Sequence, residues 1–321
     1  MRVGPPVLRV RNIDTAMAFY ENSLGLQVNR RNPGVDDNGN SIYELGFFKH
    51  NNISSSSSSS SFSSYEPLLI LKHDPNAKRR KSSLHSGAAA GAGLFHFAIL
   101  VPDRKSLAST YLALKNSGIQ YDGFADHLVS ESLYLRDPED NGIEIYRDRP
   151  ANEWPRDTEG HIMMDTLPLD WNSLLAEMNN NNNKEEQRNN AKAFPTGARI
   201  GHIHLRVTNL ERSIKFYHEK IGLDITVDWR SMGVAFLSAG GYHHHIGVNT
   251  WHSLNGGAHM SGEAGLEYFT IIIPDMSFVN TLALHIQHSS TTTNNSKQID
   301  GNQLLLFFSD PDGIQLLIRS Q

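Results

Sequence analysis

The 321-residue chain predicts an α+β fold of four βαβββ modules, paired one with four and two with three into two curved-sheet barrels. Three observations predict it. First, VLRVRNIDTAMAFYENSLGLQV, from Val7, matches HLRVTNLERSIKFYHEKIGLDI, from His204. Asn12 falls on Asn209, Phe19-Tyr20 on Phe216-Tyr217 and Gly25-Leu26 on Gly222-Leu223, all at one offset. Second, FHFAILVPD, from Phe95, matches YFTIIIPD, from Tyr268, and DPEDNGIEIYRD, from Asp137, matches DPDGIQLLIRS, from Asp310. The chain thus reads A, B, A′, B′, with modules near 1–75, 93–150, 197–252 and 264–321. Third, FHFAILVPD and GHIHLRVTN, from Gly201, both open an apolar run with a histidine, and aligning Pro102-Asp103 with Thr208-Asn209 superimposes His96 on His202. If modules two and three close a sheet about a pseudo-twofold axis, those two side chains point into one cavity.

The elements follow in order. Each module begins with a short β-branched or aromatic run that reads as a strand. In modules one and three a polar cap residue, Asn12 or Asn209, leads into apolar positions at helical spacing, and Gly25 or Gly222 just past the end stops the helix. Two or three further strands complete each module, most with a Gly-bearing turn before the last. Ser54 to Ser61 reads as an extended hairpin loop of module one, Asn179 to Asn183 as part of a linker, and SSTTTNNS, from Ser289, as a loop after the module-four helix. Such tracts bury no apolar area to offset chain entropy, and loops tolerate them. The basic run Lys78 to Lys81 reads as solvated linker. The expected regions are 1–150, a linker over 151–196, and 197–321.

A net charge of -5 gives no cationic field for nucleic acid or an anionic membrane, so a small-molecule partner is expected. With no cysteine there is no disulfide framework, thiolate ligand or cysteine nucleophile. No run approaches the ~20 apolar residues of a membrane span, and the N-terminus lacks a secretory apolar segment. The expected location is cytoplasmic.

Either His96 or His202 alone reads as a hydrogen-bonded residue opening a strand. Their equivalence favours two ligands to one metal, since imidazole suits iron, zinc, manganese and copper. Glu144 lies between Ile143 and Ile145 in GIEIYRD, so alternation turns it opposite to both apolar neighbours, toward a metal or toward solvent. Together His96, Glu144 and His202 would form a 2-His-1-carboxylate triad, which leaves positions open for substrate and O₂ on Fe(II). His204, two residues beyond His202, shares its face and reads as a supporting residue. The run His243 to His245 falls in the expected last strand of module three, where alternation sends His243 and His245 to one face and His244 to the other. At the histidine position module one has Pro5 and module four Tyr268, and Gln315 stands at the glutamate position of module four. Modules two and three are therefore expected to form the active half and modules one and four a metal-free one.

DHLVSESLYLRDPEDNGIEIY, Asp126 to Tyr146, resembles the signature of extradiol ring-cleaving dioxygenases of the vicinal oxygen chelate superfamily: a histidine, an apolar-Tyr pair, an acid-Pro and a metal-binding glutamate. His127, Leu133-Tyr134, Asp137-Pro138 and Glu144 occupy those places, while Asp140 stands where glycine or proline is usual. GLFHFAILVPD, SAGGYHHHIGVNTW and GLEYFTIIIPD extend the resemblance to four-module bacterial catechol 2,3-dioxygenase-like proteins. The resemblance implies that His96, His202 and Glu144 hold Fe(II), or Mn(II), and that His127 and Tyr134 hydrogen-bond substrate or oxygen. One of His243, His244 and His245 would serve as the acid-base histidine. It also implies a catechol-type diol and O₂ as substrates and aromatic catabolism as the setting; a homo-oligomer is compatible with the sequence. Rival readings are a glyoxalase-like isomerase or thiol transferase, and a metal-free binding protein of the bleomycin-resistance type. Glyoxalase-like sites tend to pair two glutamates with the histidines, and here histidines of module three are expected where the second would sit.

Overall fold

The computed structural model describes residues 1–29, 34–36, 38–49, 64–79, 90–178, 194–287, 296–300 and 303–321. The serine tract, the asparagine tract and nearly all of SSTTTNNS lie outside them, as do the last two residues of the basic run.

Module one comprises β1 (Arg2–Val3), β2 (Val7–Val10), α1 (Ile13–Met17), β3 (Gln27–Val28), β4 (Gly34–Val35), β5 (Ser41–Lys49) and β6 (Ser64–His73). Gly4, Pro5 and Pro6 separate β1 from β2, and neither proline has an N–H to give a ladder. Module two is β7 (Gly93–Leu100), α2 (Arg104–Asn116), β8 (Tyr121–Asp126), β9 (Ser130–Arg136) and β10 (Gly142–Asp148). A short helix α3 (Trp171–Ala176) follows. Module three is β11 (Arg199–Arg206), α4 (Leu210–Lys215), β12 (Asp224–Trp229), β13 (Val234–Ser238) and β14 (Ile246–Asn249). Module four is β15 (Gly265–Ile273), α5 (Met276–Gln287), β16 (Ser296–Asp300), β17 (Gln303–Ser309) and β18 (Gln315–Ser320).

The repeat sets the local chemistry of each module. Asn12, Asp103 and Asn209 accept from the backbone N–H three residues on, which satisfies an orphan donor at each helix start. Gly25 and Gly222 adopt φ of 82° and 84° as the chain leaves the helices. Between cap and glycine the structure adds something the helical periodicity does not show. Both helices widen into a π-helical turn, Ala18–Ser23 and Phe216–Lys220, at the repeated Phe-Tyr pair.

Two curled sheets result. One joins modules four and one in the order β16-β17-β18-β15-β2-β6-β5-β3; the other joins modules three and two in the order β12-β13-β14-β11-β7-β10-β9-β8. At each seam the first strands of two modules run antiparallel, β2 against β15 and β7 against β11. The pairing of one with four and two with three is as the repeat predicts. The β7/β11 register carries the pseudo-twofold: His96 lies opposite His204, and His202 opposite Ala98. The two equivalent histidines therefore sit diagonally across the seam. Outward of the seam, β10 lies parallel to β7 and β14 parallel to β11, and apolar faces of both sheets feed one continuous buried core.

Candidate metal centre

His96 on β7, Glu144 on β10 and His202 on β11 converge on the inner face of the module-two/three sheet, and all three are buried. Alternation along β10 works as expected: Ile143 and Ile145 fill the core on one face and Glu144 emerges on the other. The Nε2 atoms of His96 and His202 lie 3.0 and 2.9 Å from the same Glu144 oxygen, Oε2, and 3.4 Å from each other. That triangle has the spacing of adjacent corners of an octahedron with metal bonds of about 2.1 Å, roughly 3 Å apart. The donor set therefore fits a divalent cation. Ser132, opposite Tyr146 in the β9/β10 ladder, donates its hydroxyl to Glu144 Oε1 at 2.6 Å, which leaves Oε2 to the histidines.

The electrostatics agree with the geometry. Burial works to raise the Glu144 carboxyl, but His202 and His96 beside it hold it well below the usual carboxylate range. Burial lowers His202, against the pull of Glu144, and lowers His204 and His244 strongly. An ionised carboxylate beside an imidazole that burial keeps neutral, as at Glu144 and His202, is the state that ligates metal.

Strand register settles what stands at the equivalent place in the other modules. Glu144 pairs with Ala98, and its pseudo-twofold mate, paired with His204, is Gly247. The expectation that histidines of module three occupy the second-glutamate position is thus corrected. A Cβ on Gly247 would lie 2.9 Å from the His204 ring, so that ring fills the place of a fourth side chain. In modules one and four the counterparts are Ile70, opposite Val7, and Leu317, opposite Thr270. Gln315 is not the counterpart of Glu144. The DPDG turn closes with the same bonds as DPED, Gly313 N–H to the Asp310 carbonyl (3.0 Å) and Asp140 N–H to the Asp137 carbonyl (3.0 Å). No gap separates the two strands, so Gln315 corresponds to Gly142; it is exposed and bonded to Ser309. Asp140, where the family pattern has glycine or proline, takes φ of 66° in this turn.

A cavity of about 710 Å³ opens over the three donors, lined among the described residues by modules two and three and by residues 164–166. His127 and Tyr134 stand in its wall. The His127 Nδ1 faces the Asp165 carbonyl at 2.7 Å, and a carbonyl only accepts, so Nδ1 carries a proton. In the neutral ring, Nε2 then accepts from the Tyr134 hydroxyl at 2.7 Å. Burial and Glu144 push the Tyr134 phenol well above its ordinary value, which keeps it a donor.

The three adjacent histidines separate, and they precede the strand they were expected to join. Gly240 and Gly241, at φ of 71° and 76°, carry the chain through a turn, and the ladder resumes only at Ile246. His244 enters the cavity, its ring 4.0 Å from that of His202 and stacked on Phe236. His243 and His245 lie behind it: His243 Nε2 is 2.8 Å from Asp148 Oδ1, and His245 Nδ1 is 2.7 Å from the Ser238 hydroxyl. His243 Nδ1 meets His244 Nδ1 at 2.8 Å. The Asp148 carboxylate requires a proton on His243 Nε2; a neutral His243 then accepts at Nδ1 from His244. His244 Nε2 is left with its lone pair and, among the described residues, no hydrogen-bond partner.

The sequence reading passed over several contributors. Asp148 and Ser132 had a signal, since Glu144, Tyr146 and Asp148 alternate onto one face of β10 and Ser132 shares a face of β9 with Tyr134. Met164, Asp165 and Thr166 had none: they belong to a stretch without periodicity that crosses the cavity and is anchored by the Asp126 and Leu167 backbones.

A histidine-carboxylate-histidine set at the seam of two βαβββ modules is a candidate metal site on a repeated-module fold, and comparison with known proteins gives the family of that fold. The profile of the Glyoxalase/Bleomycin resistance protein/Dioxygenase superfamily matches residues 2–145 and 199–318, and the chain belongs to that family. The Catechol-2,3-dioxygenase of Bacillus subtilis (strain 168) is 34% identical over 290 residues, spanning 89% of this chain and 88% of that protein. A candidate dioxygenase structure from Bacillus subtilis subsp. subtilis str. 168 superposes with a TM-score of 0.63 at 13% identity, over 100% of this chain and 85% of that one. Glyoxalase I from Zea mays superposes at 0.53 and 15% identity, over 99% and 92%. At such identities the structural likeness speaks for the fold alone.

Proposed function

We propose that the protein is an Fe(II)-dependent extradiol dioxygenase that cleaves a catechol-type aromatic beside its two hydroxyls. The observation that carries this reading is the three-donor site whose fourth symmetric position is Gly247. Three protein ligands leave room for a bidentate diol and O₂, where a second glutamate would suit proton shuttling in an isomerase. The 34% identity to a catechol-2,3-dioxygenase supports the same reading. His96, Glu144 and His202 would hold the iron, or Mn(II), and the metal when bound supplies the redox chemistry that joins diol to O₂.

The chain's own groups do the rest. His244 Nε2 presents a lone pair at the cavity, placed to take the proton of a diol hydroxyl, and the His243–Asp148 chain behind it holds that tautomer. His127 and Tyr134 form a hydrogen-bonded couple on the opposite side, able to hold or return a proton. Phe95, Phe236 and Trp251 keep bulk water from the donors.

The test is anaerobic Fe(II) loading followed by oxygen uptake with a panel of catechols and, in parallel, isomerase assay with the methylglyoxal-glutathione adduct. Oxygen uptake matched by appearance of a ring-opened product is expected. Turnover of the adduct with no catechol consumed would assign the site to the glyoxalase branch.

A further inference from the structure

We infer that the diol taken by this site carries a bulky, uncharged, apolar substituent, seated against a wall of Trp229, Met232, Phe236 and Trp251. The inference rests on the dioxygenase reading and adds to it the class of substrate.

Size is the first argument. The cavity, about 710 Å³, falls in the range of ~300–1,000 Å³ that encloses drug-sized ligands, several times the space of one ring and two hydroxyls. A bare catechol bound at the metal would leave most of the apolar lining facing water. The second argument is the wall itself. The Trp229 and Phe236 rings lie 6.0 Å apart, and Trp251 meets Phe95 edge-on at 5.4 Å. Trp251 is fixed by its Nε1–H, which donates to the Met232 carbonyl at 2.8 Å. Yet Trp251 is 49% and Met232 57% exposed, so these neighbours present apolar surface at the mouth of a cavity that leads to the donors. Grouped exposure of this kind beside a site marks a surface that a ligand covers.

Charge is the third argument, and it disfavours an anionic substituent. A catechol bearing a carboxylate needs a cation with a free face. Among the described residues the lining holds one arginine, Arg136, with Asp122 and Asp165; the remaining carboxylate, Glu144, would be balanced by the metal it holds. Arg136 is held by Asp122 at 2.7 Å and Asp140 at 3.1 Å. Among the described residues an anionic substituent would find no cation that is not already paired, whereas an alkyl or aryl group gains apolar contact.

The experiment uses the Fe(II)-loaded protein and three probes: catechol, 3-phenylcatechol and 3,4-dihydroxybenzoate. Anaerobic quenching of tryptophan fluorescence gives Kd, and oxygen uptake gives kcat/KM. Burying a phenyl group should tighten Kd about 10- to 100-fold relative to catechol, with the carboxylate the weakest of the three. Trp251→Ala and Met232→Glu should each lower the ratio of kcat/KM for 3-phenylcatechol over catechol by roughly tenfold. Equal or weaker binding of 3-phenylcatechol, preference for the carboxylate, or a ratio unmoved in both variants would overturn the inference. If no probe consumes oxygen while iron is bound, the dioxygenase reading falls, and the Kd ranking still decides the apolar subsite on its own.

Discussion

Glu144 is the residue on which the site turns, because a buried carboxylate facing two imidazoles has no solvent to stabilise it. The same desolvation makes it a strong anionic ligand once a cation is supplied. On the proposed reading, Glu144→Ala, His96→Ala and His202→Ala should each lose stoichiometric iron while keeping the fold, since each removes one of the three protein donors. Metal analysis of the purified variants beside their circular dichroism checks this; a variant that keeps wild-type iron drops its residue from the ligand set. His127 separates from the ligands by the same logic. Its nitrogens are committed to Asp165 and Tyr134, not to the donor triangle, so His127→Phe should retain iron and lower turnover by roughly 10² to 10⁴. Loss of iron along with activity would make His127 part of the metal's support.

The elements explain how a repeat delivers two histidines to one point. In β11 a bulge falls between Ile200 and His202, so Gly201 stands out of the regular register with Ala98 and its neighbours on β7. A bulge re-aims the residue beside it, here His202, and the bulge is packed: a Cβ on Gly201 would collide with the Tyr146 hydroxyl. That hydroxyl lies 2.7 Å from Tyr242, which donates to Asp148 at 2.9 Å, the carboxylate behind His243. Gly201→Ala should therefore destabilise the protein by about 1–3 kcal/mol or more in urea unfolding and weaken iron binding with it. Gly123→Ala, on β8 with open space at the Cβ, should change stability by less than ~0.5 kcal/mol, and equal losses in the two variants would refute the packing argument. The bulge also shows where sequence reading stops. His96, His202 and Glu144 are legible because repeat alignment and period-2 alternation are both local patterns that survive in the fold. Period-2 counting has no term for an inserted residue, so it missed the bulge at Gly201. It also ran the histidine triplet into a strand that the Gly240-Gly241 turn delays. The π turns at Phe19-Tyr20 and Phe216-Tyr217 leave the apolar spacing unchanged, and the crossing of residues 164–166 over the cavity depends on distant partners.

At the scale of the whole molecule, two patterns of association cross. The sheets pair module one with four and two with three, but the repeated tyrosines tie one to two and three to four. Tyr20 donates to Asp137 at 2.8 Å and Tyr217 to Asp310 at 3.0 Å, each from a π-helical turn into the buried DP turn of the next module. Each sheet is thus cross-linked twice to the other, which joins the modules into one cooperative body. The acids in these ties are buried, and burial, with Asp312 adding repulsion, pushes Asp310 from its ordinary 3.8 up to about 7. The folded state therefore holds the Asp310 proton more tightly than the unfolded chain does. Its contribution is fully present below pH ~4 and is lost as pH rises through ~7, a slope on the order of a few kcal/mol. Asp310→Asn keeps the carbonyl oxygen that accepts from the Asp312 and Ile314 N–H groups and removes the titration. Urea unfolding from pH 4 to 8 should show the variant gaining on the wild type as pH rises, with most of the gain between pH 4 and 7. Parallel curves over that range would mean that Asp310 is as easily ionised in the folded protein as in the unfolded one.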